Sequence, residues 1–196
     1  EVPGARYPDG STFLMKPGPM GAHTWLPMAY SPRTRLAYIP TIELMSYYND
    51  AGIDVKSWKR WPGYALDGGL NATIVAPEEA GTNGTSSLLA WDPVAQRKVW
   101  QVPTPVFWNG GVLATAGDLV FQGQIDRQFN AYDAKSGARL WSFDAHAPVL
   151  APPVSYTVNG RQYLTVLTGV GTGGGALGPL LTRFGIDYRS QARRVL

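Results

Sequence analysis

The sequence predicts an all-β fold made of small, repeated antiparallel sheets. Four short strand-like runs follow one another between Pro103 and Phe143, within about 40 residues. A pattern inside this stretch also occurs earlier in the chain, at a fixed distance. The composition agrees, because 23 Gly and 16 Pro without a long helical period favour many short strands joined by turns. Together these features predict part of a β-propeller, in which each blade is a four-stranded sheet of this size.

The stretch 103–143 predicts one complete sheet. Its strand-like runs are residues 112–115, 119–122, 130–133 and 139–143. The first two are joined by Ala116-Gly117-Asp118, whose small and polar residues favour a turn. The last two are joined across Gly137, where a hairpin requires a positive φ that glycine adopts without a Cβ clash.

The repeat consists of an alanine, an aspartate and a tryptophan. The two copies are 41 residues apart, and the matched pairs are Ala90 and Ala131, Asp92 and Asp133, and Trp100 and Trp141. Gln96 stands in the earlier copy where Gly137 stands in the later one, so the two turns differ in sequence. The shared offset predicts two neighbouring blades.

The remaining segments predict further loops and strands. Residues 1–22 are rich in Pro and Gly and predict a surface loop. Residues 36–40 predict a short buried strand that Pro40 ends. Residues 43–69 predict a long excursion between strands, either functional or packed as an aromatic cluster at a sheet edge. The other predicted strands are 87–92, 98–102, 153–158 and 162–167, the last two around the hairpin signal Asn159-Gly160, and 194–196.

Charge and cysteine content exclude several kinds of site. The net charge is +3 and the basic residues are scattered, unlike those of nucleic-acid-binding proteins. The absence of cysteine excludes disulfides, cysteine-ligated zinc and Cys-x-x-Cys-His haem attachment within this chain. No apolar run is long enough to predict a membrane span. The first residues do not resemble a signal peptide and are expected to be an internal segment.

Three features could carry chemistry. The glycine-rich run 169–175 lacks the context of a P-loop or a dinucleotide fingerprint, which leaves a close approach to a flat group or a plain loop. His23 and His146 belong to no nucleophile motif and have no evident metal-ligand partners. Trp108 precedes the first strand of a predicted blade, where loops at one end of a propeller converge on its axis. We predict that Trp108 lines a pocket rather than docks between blades.

Five motifs occur in order along the chain. They are Gly21-Ala22-His23-x-Trp25-x-Pro27-Met28, the run from Trp108-Asn109-Gly110-Gly111 to Phe121-x-Gly123, Ala131-x-Asp133-x-x-x-Gly137-x-x-x-Trp141, Ala151-Pro152-Pro153-Val154-x-Tyr156 and Gly160-x-Gln162-Tyr163. Together they resemble the PQQ-dependent (quinoprotein) alcohol dehydrogenases, over nearly the whole chain from Pro17 to Leu196. The third, a tryptophan-docking motif, is weakly specific because non-enzymatic propellers carry it too. The first two together are specific.

The resemblance implies an eight-bladed propeller that holds pyrroloquinoline quinone (PQQ) on its axis with Ca²⁺ or a lanthanide. This chain would supply residues 1–22 as a loop segment and residues 23–196 as about three to four C-terminal blades. Such enzymes oxidise an alcohol by hydride transfer to the quinone and pass electrons to a cytochrome c or a fused haem domain. The resemblance also implies a periplasmic location.

The resemblance carries roles for only some residues of this chain. Trp108 matches the tryptophan that contacts the cofactor edge. Thr24 takes the place of an asparagine that bonds the cofactor, and its hydroxyl is shorter. Gly171 and Thr172 lie in the glycine segment near the quinone, where Val170 replaces a common tryptophan.

The catalytic and metal-binding residues of the family lie upstream of this segment. The resemblance therefore implies no catalytic residue and no metal ligand here, and no turnover by this chain alone. The expected partners are the remaining blades, an alcohol and a cytochrome c acceptor, without nucleic acid or a membrane span. One alternative is a non-catalytic propeller scaffold that binds proteins. Another is a quinoprotein that acts on sugars or amines.

Overall fold

The computed structural model describes residues 2–54, 56–59, 69–74, 85–170, 182, 187, 190 and 194–196. The regular structure of the described residues is almost entirely β-strand. The elements are a 3-10 turn (Pro8–Gly10) and the strands β1 (Phe13–Met15), β2 (Ala29–Ser31), β3 (Leu36–Glu43), β4 (Ser46–Asn49), β5 (Asn71–Ile74), β6 (Thr85–Asp92), β7 (Arg97–Thr104), β8 (Val112–Ala114), β9 (Leu119–Gly123), β10 (Gln128–Asp133), β11 (Arg139–Asp144), β12 (Val154–Val158), β13 (Arg161–Thr165), β14 (Leu167–Thr168) and β15 (Arg194–Val195).

The chain forms two compact units, one from residues 1–22 with 43–84 and one from residues 23–42 with 85–196. The first unit contains a three-stranded sheet in the order β1-β4-β5. Leu14 pairs with Tyr47, so a strand interrupts the loop predicted for residues 1–22. Three residues of β1 are too few to show an alternating pattern, which explains why the sequence did not reveal this strand.

The second unit contains sheet I, in the order β2-β3-β6-β7, and sheet II, in the order β8-β9-β10-β11. In both sheets the strands lie side by side in the order in which they occur along the chain. Sheet III is the hairpin β12-β13, and β14 pairs with β15. These strands confirm the runs predicted for both copies of the repeat and for the Asn159-Gly160 hairpin.

The predicted end of the strand at Pro40 is wrong, because β3 continues to Glu43. The last residue of β3 that pairs with β2 is Tyr38. Beyond Tyr38, no strand among the described residues pairs with this side of β3. A residue without an N–H group, such as Pro40, is tolerated at such an open side.

The two copies of the repeat have the same local geometry. A register shift follows Ala90 in the earlier copy and Ala131 in the later one. Asp92 accepts hydrogen bonds from the main-chain N–H groups two and three residues ahead, at 3.0 and 2.9 Å. Asp133 accepts the equivalent pair at 3.0 and 2.8 Å. The repeated aspartate therefore closes the turn after each third strand.

Two aromatic side chains of sheet I form hydrogen bonds with the main chain of sheet II at Ala134. Its carbonyl oxygen accepts hydrogen bonds from the Tyr38 hydroxyl at 3.0 Å and from Nε1 of Trp100 at 3.1 Å. Gly137, which has the predicted positive φ of 74°, lies against the Trp100 indole. A Cβ there would be 2.8 Å from that ring. Tyr38 and Trp100 belong to one apolar cluster with Val120 and Tyr132 of sheet II.

Candidate functional site

Three chain segments meet where the first strands of sheets I, II and III begin. The main-chain N–H of Val112 donates a hydrogen bond to the carbonyl oxygen of Pro27 at 2.9 Å. A Cβ on Gly111 would lie 2.8 Å from Cδ of Pro27 and 3.0 Å from Cβ of Pro152. These three residues, Pro27, Gly111 and Pro152, define what we call the junction. Only a residue without a side chain fits at its centre.

Asn109 holds the segment before β8 in place. Its side chain is buried, and its Nδ2 lies 2.8 Å from the Ser86 hydroxyl, 3.1 Å from the Thr104 hydroxyl and 2.8 Å from the carbonyl oxygen of Pro105. Its Oδ1 accepts a hydrogen bond from the main-chain N–H of Ile125 at 3.1 Å. The amide thus links sheet I to sheet II and positions the residues on either side of it.

Gly110 connects this segment to the one before β12. Its N–H donates to the carbonyl oxygen of Gly123 at 2.8 Å, and a Cβ on Gly110 would lie 2.7 Å from the carbonyl oxygen of Val149. Val149 in turn forms a parallel bridge with Gly169. The beginning of the glycine-rich run is therefore fixed beside the junction.

Two of the predicted cofactor-binding residues, Gly171 and Thr172, lie outside the described residues. Val170, predicted at the rim of the pocket, is described and is buried. Its neighbour Gly169 donates a main-chain hydrogen bond to Pro148 at 2.6 Å.

Trp108 lies in the same region and is packed by aromatic neighbours. Its ring meets Phe107 and Trp25 edge-on, with centroid separations of 6.3 and 6.4 Å. Only 4% of Trp108 is exposed, whereas 72% of Trp25 is exposed. Within this chain, Trp25 therefore presents the accessible aromatic surface and Trp108 supports it from behind.

Thr24 lies next to Trp25 and is half-buried. Its hydroxyl oxygen accepts a long hydrogen bond from the main-chain N–H of Leu26, at 3.4 Å. A hydroxyl that accepts can still donate its own hydrogen. Thr24 therefore keeps a donor for a ligand beside Trp25.

His23 has a structural contact. Its Nδ1 lies 2.8 Å from the carbonyl oxygen of Pro40. Because a carbonyl oxygen only accepts, Nδ1 must carry the hydrogen, which fixes the orientation of the ring. His23 thereby ties the segment before β2 to β3.

The side chains around the junction, those of Thr24, Trp25, Trp108 and Asn109, are uncharged and offer hydrogen bonds and aromatic surface rather than metal ligands. Across the described part of the chain, no group of three or more His, Cys, Asp or Glu side chains is placed to hold a metal ion. The sequence did not predict a role for two residues of the site, Trp25 and Asn109. Trp25 and Asn109 both lie in motifs, but their spacing alone does not show which side chain is exposed and which is buried.

Comparison with known proteins identifies the kind of domain. Residues 6–164 match a family model described as PQQ: Glucose/ethanol/alcohol dehydrogenase, beta-propeller domain. The chain is 40% identical to quinohemoprotein alcohol dehydrogenase ADH IIB of Pseudomonas putida over 174 residues, which are 87% of this chain and 24% of the relative. It is 38% identical to 1-butanol dehydrogenase (cytochrome c) of Thauera butanivorans over 176 residues, which are 87% of this chain and 25% of the relative.

A solved structure agrees. Quinohemoprotein alcohol dehydrogenase ADHIIG from Pseudomonas putida HK5 superposes with a TM-score of 0.75 at 39% identity, covering 85% of this chain and 25% of that one. These matches confirm the predicted fold class, part of a β-propeller, and the predicted family resemblance. The chain spans about a quarter of the length of the curated relatives it matches.

Proposed function

This chain belongs to the PQQ family of glucose/ethanol/alcohol dehydrogenase β-propeller domains, and from that premise we propose that it forms part of an enzyme that oxidises an alcohol. The substrate would transfer a hydride to pyrroloquinoline quinone, and the electrons would pass to a cytochrome c. The names of the relatives, quinohemoprotein alcohol dehydrogenase and 1-butanol dehydrogenase (cytochrome c), support this proposal over the scaffold alternative.

The meeting of three chain segments at the junction is the observation that best supports this proposal. In a propeller, the chain ends of the innermost strands surround the axis, where a ligand can contact several blades at once. Here three such segments meet around Gly111, with Trp25 exposed and Trp108 behind it. A flat aromatic cofactor is a ligand for which such a surface is suited.

The described residues fit one edge of such a cofactor. Thr24 would donate its hydroxyl hydrogen to an oxygen of the bound quinone, while Trp108, fixed by its edge-on contacts, would hold Trp25 and the adjoining main chain in place. When bound, the quinone supplies the hydride acceptor, and the protein orients it and excludes water. The glycine segment with Gly171 and Thr172 belongs to the same proposed site.

The rest of the enzyme would supply the metal site and the base. A calcium or lanthanide ion needs several oxygen ligands, usually with carboxylates among them, and the junction side chains are uncharged. We propose that these ligands, the aspartate base and the remaining blades come from protein outside this chain, in a periplasmic enzyme. No helix among the described residues is long and apolar enough to cross a membrane. This chain alone would not turn over alcohol.

The test uses the full-length protein that contains this chain. PQQ is titrated in the presence of Ca²⁺ while tryptophan fluorescence is followed, and alcohol-dependent dye reduction is then measured. We expect saturable binding and activity, and a several-fold loss of PQQ affinity in Trp108→Ala, because Trp25 would lose the ring that supports it and such an aromatic contact contributes on the order of 1 kcal/mol beyond its buried area. Trp141→Ala is the control: it removes a tryptophan from β11, the strand of sheet II farthest from β8, and should cost stability without changing the PQQ affinity. A folded protein that ignores PQQ would contradict the proposal.

Thr24 gives a second prediction. Replacing it with asparagine extends the donor by one bond, so Thr24→Asn should bind PQQ several-fold more tightly, whereas Thr24→Val should bind it more weakly. The same fluorescence titration measures both. Equal affinities for all three proteins would place Thr24 outside the cofactor contact.

A further inference from the structure

Two amide side chains lie side by side between sheets I and II. Gln122 of β9 is paired with Asn130 of β10, and on its other side with Val112 of β8. Directly paired residues point to the same face of a sheet. This face also carries Val112, Val120 and Tyr132, which pack against Tyr38, Leu88 and Trp100 of sheet I. Gln122 and Asn130 therefore lie inside the contact between the two sheets.

Both amides are fully buried, each with 0% exposure. Nε2 of Gln122 donates a hydrogen bond to the carbonyl oxygen of Gly110 at 3.1 Å. Oε1 of Gln122 and both polar atoms of Asn130, Nδ2 and Oδ1, have no hydrogen bond of good geometry in the described part of the protein. The Asn130 amide lies near the Tyr132 hydroxyl and opposes the rise that burial gives the pKa of Tyr132. A buried polar atom without a partner is strongly unfavourable, and native interiors rarely keep one.

The three unpartnered atoms are complementary to water. One donor and two acceptors lie on neighbouring side chains, and a water molecule both donates and accepts. Internal waters bind where two to four otherwise unpaired polar groups face one another. Apolar ligands would leave all three atoms unpaired, a cation would leave the Nδ2 donor unpaired, and an anion would leave the two acceptors unpaired. Gln122 and Asn130 carry no charge.

We propose that Gln122 and Asn130 form a binding site for internal water, and that this hydrated pair positions the junction. At least one water would accept from Nδ2 of Asn130 and donate to Oε1 of Gln122. With its oxygen held in this way, Gln122 would keep Nε2 directed at Gly110. Gly110 lies between Asn109 and Gly111, so the hydrated pair would fix the turn that carries Trp108. This role concerns the site of the proposed function but does not require that function.

The sign of one stability change tests the proposal. If the Asn130 amide binds a water that also donates to Oε1 of Gln122, Asn130→Leu removes that water and leaves Oε1 without a hydrogen bond. The melting temperature of the full-length protein then falls by roughly 1–3 °C. If the amide is bare, leucine removes an unpaired polar group and the melting temperature stays or rises, which overturns the proposal. The double variant Gln122→Met/Asn130→Leu removes both amides. It should be more stable than the sum of the single changes predicts.

A high-resolution crystal structure of the same full-length protein decides the case if a variant fails to fold. Ordered water within hydrogen-bond distance of Gln122 Oε1 and of Asn130 supports the proposal. A dry pair, or two amides bonded directly to each other, overturns it. Neither measurement needs bound cofactor, so failure here is separate from failure of the proposed function.

The positioning role has its own matched pair of variants. Gln122→Met removes the bond to Gly110, whereas Gln124→Met removes the equivalent bond from a buried glutamine to the Tyr132 hydroxyl, at 3.1 Å. Both should lower the melting temperature. The emission of Trp108 is the difference between the spectra of the natural protein and of Trp108→Phe. Only Gln122→Met should change that emission. Equal spectra for the two glutamine variants would contradict the positioning role.

Discussion

A glycine sets how closely the segments of the junction approach one another. Gly111 is buried, and a Cβ there would press on the proline rings of Pro27 and Pro152. Neither ring can move away without moving its main chain, because proline has a fixed φ. The geometry of the junction therefore depends on the absence of one methyl group.

Gly111→Ala should destabilise the full-length protein by roughly 1–3 kcal/mol, the usual cost of overpacking. Urea unfolding measures the change. Gly117→Ala is the control, since the nearest atom to its new Cβ would be the Thr115 hydroxyl oxygen at 3.8 Å. A Gly111→Ala protein as stable as this control would show that the junction is looser than described.

The repeated turns predict a stabilising change at Gln96. Gln96 stands where the later copy has Gly137, and it has the same left-handed backbone, with φ of 51° against 74°. The side chain is exposed, so little packing would be lost. Gln96→Gly should therefore stabilise the protein by up to about 1 kcal/mol, because strain of about 1–2 kcal/mol in this region is partly offset by the entropy that glycine adds to the unfolded chain.

Thermal unfolding of the full-length protein measures this gain. Ala95→Gly, one residue earlier in the same turn, has no such strain to relieve and should lose stability through added chain entropy. If both glycine variants lose stability, the backbone at Gln96 is not strained.

At the scale of elements, charged turns join sheet I to sheet II. Asp118, in the turn between β8 and β9, accepts a hydrogen bond from Nε of Arg33 at 2.9 Å and lies 3.4 Å from Nζ of Lys135. The hydrogen bond from Arg33 is the main cause that holds the pKa of Asp118 below its ordinary value. The Asp118 carboxylate thus links its own turn to the turn between β2 and β3, through Arg33, and to the turn between β10 and β11, through Lys135.

This arrangement predicts a pH-dependent stability. Because the pKa of Asp118 is lower in the folded than in the unfolded chain, its contribution is present above about pH 4 and is lost as the pH falls through the folded-state pKa. Asp118→Asn should therefore be less stable than the natural protein at pH 7, with a gap that narrows toward pH 3. Asparagine also tolerates the positive φ of 58° at this position. Melting curves across this range measure the gap, and a constant gap would contradict the assignment.

The four strands of sheet II and strands β6 and β7 of sheet I could be predicted from sequence, because their turn signals are local and the pattern recurs after 41 residues. β3 was predicted only in part, and β2 was not predicted. β1 could not be predicted, since its pairing with β4 joins residues far apart in the chain. Pro40 was misjudged for the same reason, because its tolerance depends on where β2 ends. The buried pair Gln122 and Asn130 gave no signal, since an amide in a strand usually faces solvent. Trp108 was singled out by its place before the first strand of a blade and Thr24 only through the family resemblance, and the roles of both stay predictions.

At the scale of the whole molecule, the two repeated tryptophans differ in environment. Trp100 is 9% exposed against Ala134 and Gly137, whereas Trp141 is 47% exposed and stacks on Phe143 at 6.0 Å. A propeller buries such side chains between blades. We therefore expect Trp141 to be covered by a neighbouring blade when sheet II lies in a complete propeller.

A crystal structure of the full-length protein with PQQ bound tests most directly whether the residues around the junction contact the cofactor. We expect the quinone in van der Waals contact with Trp108 or Trp25 and within hydrogen-bond distance of the Thr24 hydroxyl, with no metal ligand from residues 24–28 or 108–111. A quinone bound away from these residues would contradict the proposed site.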